Sequence, residues 1–300
     1  MVGEHPDLYG FPELHLFIGD TLQEVIDREH QSEARLFFGR PGLSRLIAQL
    51  HDGVQTNGSV LRAIAWINEH RDWTTKQVMD YFLDKVAPKI GVEKSPITAQ
   101  KPAFLDRAYL AHPDAFYLHL TRHPVSARSS WVEFVDNKAT SGRSSRAAQD
   151  RMDRLVAWHH LHTNIMQFTS TLPLGQTMRI KGEDVLTYPQ IYLPQIAEWM
   201  GIRTDSEAID CMMHPERSPF AAVGPDLARG GNDPKFLRSP ALRGKPVREP
   251  SLAKFIDEKM PAWFPSGLLS DAAQRAGLKV KSDEDVAESL AACAHELGYL

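Results

Sequence analysis

Four side chains have the types and settings that chemistry on an anionic substrate needs: Glu13, Lys94, Arg122 and Ser130. Arg122 follows the apolar, aromatic-rich run Ala115-Phe116-Tyr117-Leu118-His119-Leu120, which reads as a buried strand of a parallel sheet. The carboxyl ends of such strands are where open α/β sheets bind ligands. Pro124 then turns the chain, and a helix carries Ser126, Ser129 and Ser130, the last of these eight residues beyond Arg122. A guanidinium joined by a hydroxyl suits a phosphate group, although Arg-x-Pro after a strand is also a common structural turn. Lys94 stands in Gly91-Val92-Glu93-Lys94-Ser95-Pro96, at a strand end where Pro96 forces a turn. It either reaches into the same crevice as a point charge or is a solvated surface lysine. Glu13 follows Pro12 in His5-Pro6-Asp7-Leu8-Tyr9-Gly10-Phe11-Pro12-Glu13-Leu14. A carboxylate there serves as a general base or caps the next helix.

These groups need elements to hold them. From Thr21 to about Lys89 the pattern predicts a run of helices, with Leu43, Leu46, Ile47 and Leu50 forming one apolar face. Trp66 and Trp73 in this region read as helix packing or as the wall of a substrate cleft. Met178-Arg179-Ile180-Lys181 is a second strand candidate. Between the two strands, Leu155, Trp158, Leu161, Ile165 and Phe168 recur at helical spacing. A helix around Ile191 to Met200 stops at Gly201, and His214 to Pro250 reads as one long ordered loop. Alternating strands and helices predict an α/β fold with a parallel sheet flanked by helices, in a single domain over 1–300.

Composition narrows the function classes. Hydrophobic residues are 42 % and charged residues 24 % of the 300, an ordinary mix for a globular protein. The charge sum of 34 basic and 38 acidic residues is −4, which argues against a general nucleic-acid or anionic-membrane binder. Cys211 and Cys293 are too few for a disulfide framework and lack zinc-type spacing. No apolar run approaches the ~18 residues of a spanning helix, and no signal peptide is visible, so the expected location is the cytoplasm. Trp158-His159-His160-Leu161-His162 has no acidic or cysteine partner at ligand spacing, so it reads as a structural helix rather than a metal site.

Taken in order, the His-Pro-Asp segment leading to Pro12-Glu13-Leu14, Glu93-Lys94-Ser95-Pro96, and the strand ending in Arg122-His123-Pro124 with Ser130 resemble the sulfotransferase family that uses 3′-phosphoadenosine 5′-phosphosulfate. Ile180-Lys181-Gly182-Glu183-Asp184-Val185, Trp199-Met200-Gly201 and the closing Leu297-Gly298-Tyr299 also look like family segments, and the motif order resembles the tyrosylprotein type. The resemblance implies sulfuryl transfer to a hydroxyl or amine acceptor, a small molecule or a peptide, without a metal. It implies that Arg122 and Ser130 hold the nucleotide's 3′-phosphate, that Lys94 meets the sulfuryl group or bridging oxygen, and that Glu13 is the base. The region 21–89 would shape the acceptor pocket or lid.

Two departures qualify that expectation. The aromatic residue that family members place against adenine is Gly182 here. In the family, a strand and a Gly-x-Pro-Arg-Ser-Gly-Thr-Thr-Leu loop precede the His-Pro-Asp segment, the loop cradling the 5′-phosphosulfate with backbone N–H groups. This sequence opens at Met1, four residues before His5, and Arg229-Gly230-Gly231-Asn232 is no substitute for that loop. The expected fold is therefore P-loop-type with its first strand and phosphate loop missing from this chain. The loop is then encoded just upstream, or the protein is a non-catalytic remnant, or the donor site is rebuilt from other segments. A P-loop kinase relative, the rival among enzymes, predicts a Walker A motif and a Mg²⁺-holding Asp, neither of which is found. A basic stretch, Arg229, Lys235, Arg238, Arg243, Lys245 and Arg248, reads as a solvated loop or as a flap over phosphate.

Overall fold

In the computed structural model, which describes residues 1–31, 41–130, 154–242, 250–254, 268–275 and 277–300, Leu8–Gly10 (β1) and Ile90–Val92 (β2) pair in parallel, with Leu8 opposite Ile90 and Gly10 opposite Val92. Parallel neighbours need a long crossover. It is supplied by the expected run of helices: Leu22–Gln31 (α1), Pro41–Asp52 (α2), Asn57–Glu69 (α3) and Thr75–Val86 (α4). Two of these start at reciprocal caps. Thr56 accepts the Ser59 N–H, Thr74 accepts the Gln77 N–H, and each partner side chain bonds back to the cap backbone. Each such cap is worth about 1 kcal/mol. The apolar faces Leu43-Leu46-Ile47, Val60-Ala63-Ile67 and Val78-Phe82-Val86 converge on Phe11, Leu14, Leu16 and Phe17 in one core. Burial of such side chains contributes about 1.5–3 kcal/mol each, so the segment carrying Glu13 is anchored on both sides. Trp66 stacks on His70 at 4.2 Å and on Tyr81 at 5.0 Å and packs against this core, which supports the helix-packing reading of these aromatics. A 3₁₀ turn at Pro96–Gln100 and Pro102–Ala111 (α5) follow β2.

The chain, expected as one domain, is built as two compact units: Met1–Phe116 with Tyr188–Lys245, and Tyr117–Thr187 with Pro246–Leu300. In the second unit, Tyr117–Thr121 (β3) pairs in parallel with Thr177–Lys181 (β4), from Tyr117 opposite Thr177 to Thr121 opposite Lys181. Residues 124–130 are helical (α6), Arg154–Thr169 forms the expected long helix (α7), and Gly182–Thr187 (α8) follows β4 directly.

The first unit is completed by Pro189–Trp199 (α9), Ser206–Met212 (α10) and Pro234–Arg238 (α11). Gly201, at φ +68°, ends α9 in the left-handed conformation as expected, and Ile202 N–H returns to the Ala197 carbonyl at 3.1 Å. The long ordered loop expected over 214–250 contains short helical pieces that its Pro and Gly content did not suggest. Its described part holds helical turns at Pro215–Arg217 and Asp226–Ala228 as well as α11, whose first turn is capped by Asp233.

The second unit closes with Leu268–Arg275 (α12) and Asp283–Glu296 (α13), the latter capped by Ser282. Leu155, Val156 and Trp158 of α7 share a core with Val286, Leu290, Leu297 and Tyr299. The architecture is α/β with parallel pairing, as expected, and its described strands form two pairs rather than one continuous sheet. Among the described residues no helix is long and apolar enough to cross a membrane.

Candidate active site

The parallel register of β1 and β2 carries two chain segments forward side by side. Phe11 N–H donates to the Val92 carbonyl at 2.8 Å, Leu14 N–H to Glu93 Oε1 at 3.4 Å, and His15 N–H to Ser95 Oγ at 2.9 Å. The Ser95 hydroxyl in turn donates to Glu93. These bonds lace the segment 13–15 to the segment 93–95 and place Glu13 opposite Lys94. The Lys94 ammonium donates to Glu13 Oε1 at 2.5 Å, and His15 Nε2 lies 3.6 Å from Glu13 Oε2. Glu13 does not cap the following 3₁₀ turn, Leu16–Ile18, because its carboxylate is spent on these two partners. Lys94, although half exposed, is not the free surface lysine of the simpler reading.

Behind Glu13 stands a second layer that sequence reasoning set aside. Glu13 N–H donates to the carbonyl of Gly231, in the Arg229-Gly230-Gly231-Asn232 stretch. A Cβ on Gly42, at the start of α2, would collide with the Glu13 carbonyl oxygen, and one on Gly231 would fall 2.8 Å from the Gly42 α-carbon. Only glycine fits this three-way approach, and Gly231 sits at φ +85° besides. The buried Arg45 of α2 ties the same loop down by donating to the Gly230 carbonyl and to Gln55. His15 is a non-glycine residue held at φ +55°, a strained conformation of the kind that clusters at functional sites. The only available signals in the sequence were the glycine pair and a histidine two residues past the carboxylate.

Burial raises the Glu13 carboxyl, but the hydrogen bond from His15 and the nearby Lys94 charge outweigh it, and its pKa falls to about 2. Glu93 has the opposite balance. Burial pushes its carboxyl up despite the bonds from Ser95 and Leu14. One carboxylate is thus held ionised at the surface of the site, while the other knits the two strand ends together.

Arg122 and Ser130 lie in the second unit. Arg122 stands one residue past β3, its side chain exposed and its carbonyl accepting the Trp158 indole N–H at 2.8 Å. Ser130 is in α6, half-buried; Trp131 beyond it lies outside the described residues. Glu183, buried at 5 %, accepts the His123 N–H at 2.9 Å and so holds the turn that follows Arg122. Gly182 packs closely on β3: a Cβ there would meet the Thr121 carbonyl at 3.0 Å and the Leu120 side chain at 3.3 Å. The position where the resemblance would place an aromatic ring has little room for one here.

Of the histidines of α7, His162 is buried and His159 and His160 are half-buried. His119 Nε2 and His162 Nδ1 are 2.8 Å apart, and burial first, then nearby charges, lower the two pKa values to about 4 and about 3. Among the described residues no group of three or more His, Cys, Asp or Glu side chains is arranged to hold a metal ion. In the basic stretch Arg229 is paired with Asp226, which favours the solvated-loop reading for that residue; Arg243, Lys245 and Arg248 lie outside the described residues.

The chain belongs to the sulfotransferase family, whose model matches residues 1–206, and it is a transferase of that family. In fold it is similar to the sulfotransferase domain from the curacin biosynthetic pathway, with a TM-score of 0.62 and 21 % identity over 93 % of this chain and 92 % of that one. It is similar to the same degree, 0.62 and 21 %, to the sulfotransferase domain from the Synechococcus PCC 7002 olefin synthase, over 92 % of this chain and 86 % of that one. No curated protein matches its sequence.

Proposed function

We propose that the sulfuryl donor is 3′-phosphoadenosine 5′-phosphosulfate and the acceptor a hydroxyl or amine of a small molecule or peptide, with Glu13 as base and Lys94 as the cation facing the sulfuryl group. The observation that supports this most is the Glu13–Lys94 pair, 2.5 Å apart at the ends of adjacent parallel strands. The acceptor's proton passes to Glu13 as the acceptor atom bonds to sulfur. The bond from sulfur to the bridging oxygen breaks, and 3′-phosphoadenosine 5′-phosphate leaves. Lys94 offsets the charge that grows on that oxygen. Arg122, an exposed guanidinium at the end of β3, and Ser130 in α6 are the proposed ligands of the 3′-phosphate.

The ion pair gives this reading an order of events. While Lys94 is bound to Glu13, the carboxylate sits near pKa 2 and is a weak base. A donor that draws the ammonium onto its own oxygens leaves Glu13 with burial and His15 alone, and its basicity rises when it is needed. The test is transfer of labelled sulfate from the donor to a panel of phenols, alcohols and amines. Glu13→Gln is expected to abolish product while leaving affinity for 3′,5′-adenosine bisphosphate nearly unchanged; full turnover by the variant would place the base elsewhere.

A further inference from the structure

The segment after α13 reaches back to the turn that carries Arg122. Tyr299 is 7 % exposed and its hydroxyl donates to Glu183 Oε2 at 2.9 Å, while Glu183 Oε1 accepts the His123 N–H at 2.9 Å. Thr121 Oγ1 is 2.8 Å from the Tyr299 hydroxyl oxygen. With the Tyr299 proton directed at the carboxylate, the Thr121 hydroxyl is the donor in that contact. The result is a one-way chain, Thr121 to Tyr299 to Glu183, closed by the His123 backbone. It starts on the last residue of β3 and ends two residues later, so it staples the two sides of Arg122 together. Trp158 bonds the Arg122 carbonyl from α7.

The staple is itself fixed. The Tyr299 ring lies 4.6 Å below the Lys181 ammonium and edge-on to His123 at 5.3 Å. Lys181 also donates to the Gly298 carbonyl. Gly298 takes φ +78°, the left-handed turn that brings Tyr299 inward, and a Cβ there would sit 3.3 Å from Lys181 Cε. The side-chain oxygens of Thr121, Tyr299 and Glu183 all have partners, the condition under which a buried polar network rigidifies what it touches. The Arg122 side chain itself stays exposed.

We propose that Tyr299 and Glu183 are positioning residues for anion binding at Arg122, so that the segment following α13 sets donor affinity. The inference rests on Arg122 being a donor ligand. An arginine that must present a planar fork to a phosphate gains affinity when its backbone is pre-ordered, because less freedom is lost on binding. The knot spends three side chains on ordering one short turn.

The test is calorimetry with 3′,5′-adenosine bisphosphate on the whole chain. Tyr299→Phe keeps the ring and its contact with Lys181 but removes the proton donated to Glu183. It is expected to weaken binding about three- to tenfold, as for one side chain that must be ordered on binding rather than before it, with acceptor KM unchanged. Glu183→Gln keeps an acceptor for His123 N–H and a partner for Tyr299, and is expected to bind within about threefold of the parent. Should Tyr299→Phe lower the folded fraction, Thr121→Val, which removes only the first link, is expected to show a smaller loss of the same kind. The Trp158 indole N–H resonance, assigned with Trp158→Phe, is expected to shift in Tyr299→Phe because its acceptor is the Arg122 carbonyl. A merely structural Tyr299 would lower the melting temperature without moving the nucleotide Kd of the folded fraction. Parent-like affinity in Tyr299→Phe and Thr121→Val, with binding lost in Arg122→Ala, overturns this inference alone. Parent-like affinity in Arg122→Ala overturns the donor-site reading beneath it.

Discussion

Replacing Lys94 by methionine removes the ammonium 2.5 Å from Glu13 Oε1 and keeps most of the aliphatic stem. The Glu13 carboxyl titrates at about 2 instead of its ordinary 4.5, because His15 and Lys94 together overcome the upward push of burial. At about 1.36 kcal/mol per pKa unit the whole displacement is about 3 kcal/mol. Glu13 is 21 % exposed and Lys94 53 %, and His15 shares the effect, so solvent screening leaves about 1–2 kcal/mol to Lys94. The sign follows from the direction of the shift. A carboxyl whose folded pKa is depressed stabilises fully above its unfolded value and loses that contribution as the pH falls toward the folded one. Urea unfolding of parent and Lys94→Met from about pH 5 to about pH 2 is expected to show the parent losing about 1–2 kcal/mol more than the variant. The Glu13 carboxyl carbon, followed by NMR, is expected to titrate well above 2 in Lys94→Met. Equal losses, with Glu13 still near 2 in the variant, would refute the pairing of Lys94 with the carboxylate and leave His15 as its sole partner.

Two further predictions concern the supports of the site and the interior of the second unit. Gly42→Ala drives a Cβ into the Glu13 carbonyl oxygen, so it is expected to cost about 1–3 kcal/mol and to lower transfer by displacing Glu13; chemical unfolding and turnover measured together check this. His119 and His162, with pKa values lowered to about 4 and about 3, bind protons more readily unfolded, so stability is expected to fall as the pH drops below about 6.5. His162→Leu, measured by thermal unfolding, is expected to flatten that slope.

Much of the frame was legible from local pattern. The strand ending at Arg122, the Met178–Lys181 strand, the α7 repeat and the Gly201 stop each carry their signal within a few residues, and each is found within a residue or two of its expected place. β1 was not legible, since Leu8–Gly10 is too short to show alternation and lies between two prolines. α10 was missed as well, despite its Asp205 cap. For the site, residue types suggested roles for Glu13 and Lys94, but that the two touch follows from a parallel register no spacing reveals. The packing of Gly231 and Gly42 on Glu13 joins segments far apart in sequence, as does the Thr121–Tyr299–Glu183 chain. Glu183 stood in a recognised motif, yet its service to the backbone after Arg122 belongs to tertiary structure alone.

We propose that this chain binds the adenosine 3′,5′-bisphosphate part of its sulfuryl donor through Arg122. Calorimetric titration of the parent and of Arg122→Ala with 3′,5′-adenosine bisphosphate tests it most directly. Micromolar binding by the parent, weakened at least about tenfold in the variant by loss of a charge-assisted bond, is the predicted result. Absence of binding by the parent, or equal affinity in the two proteins, would contradict it.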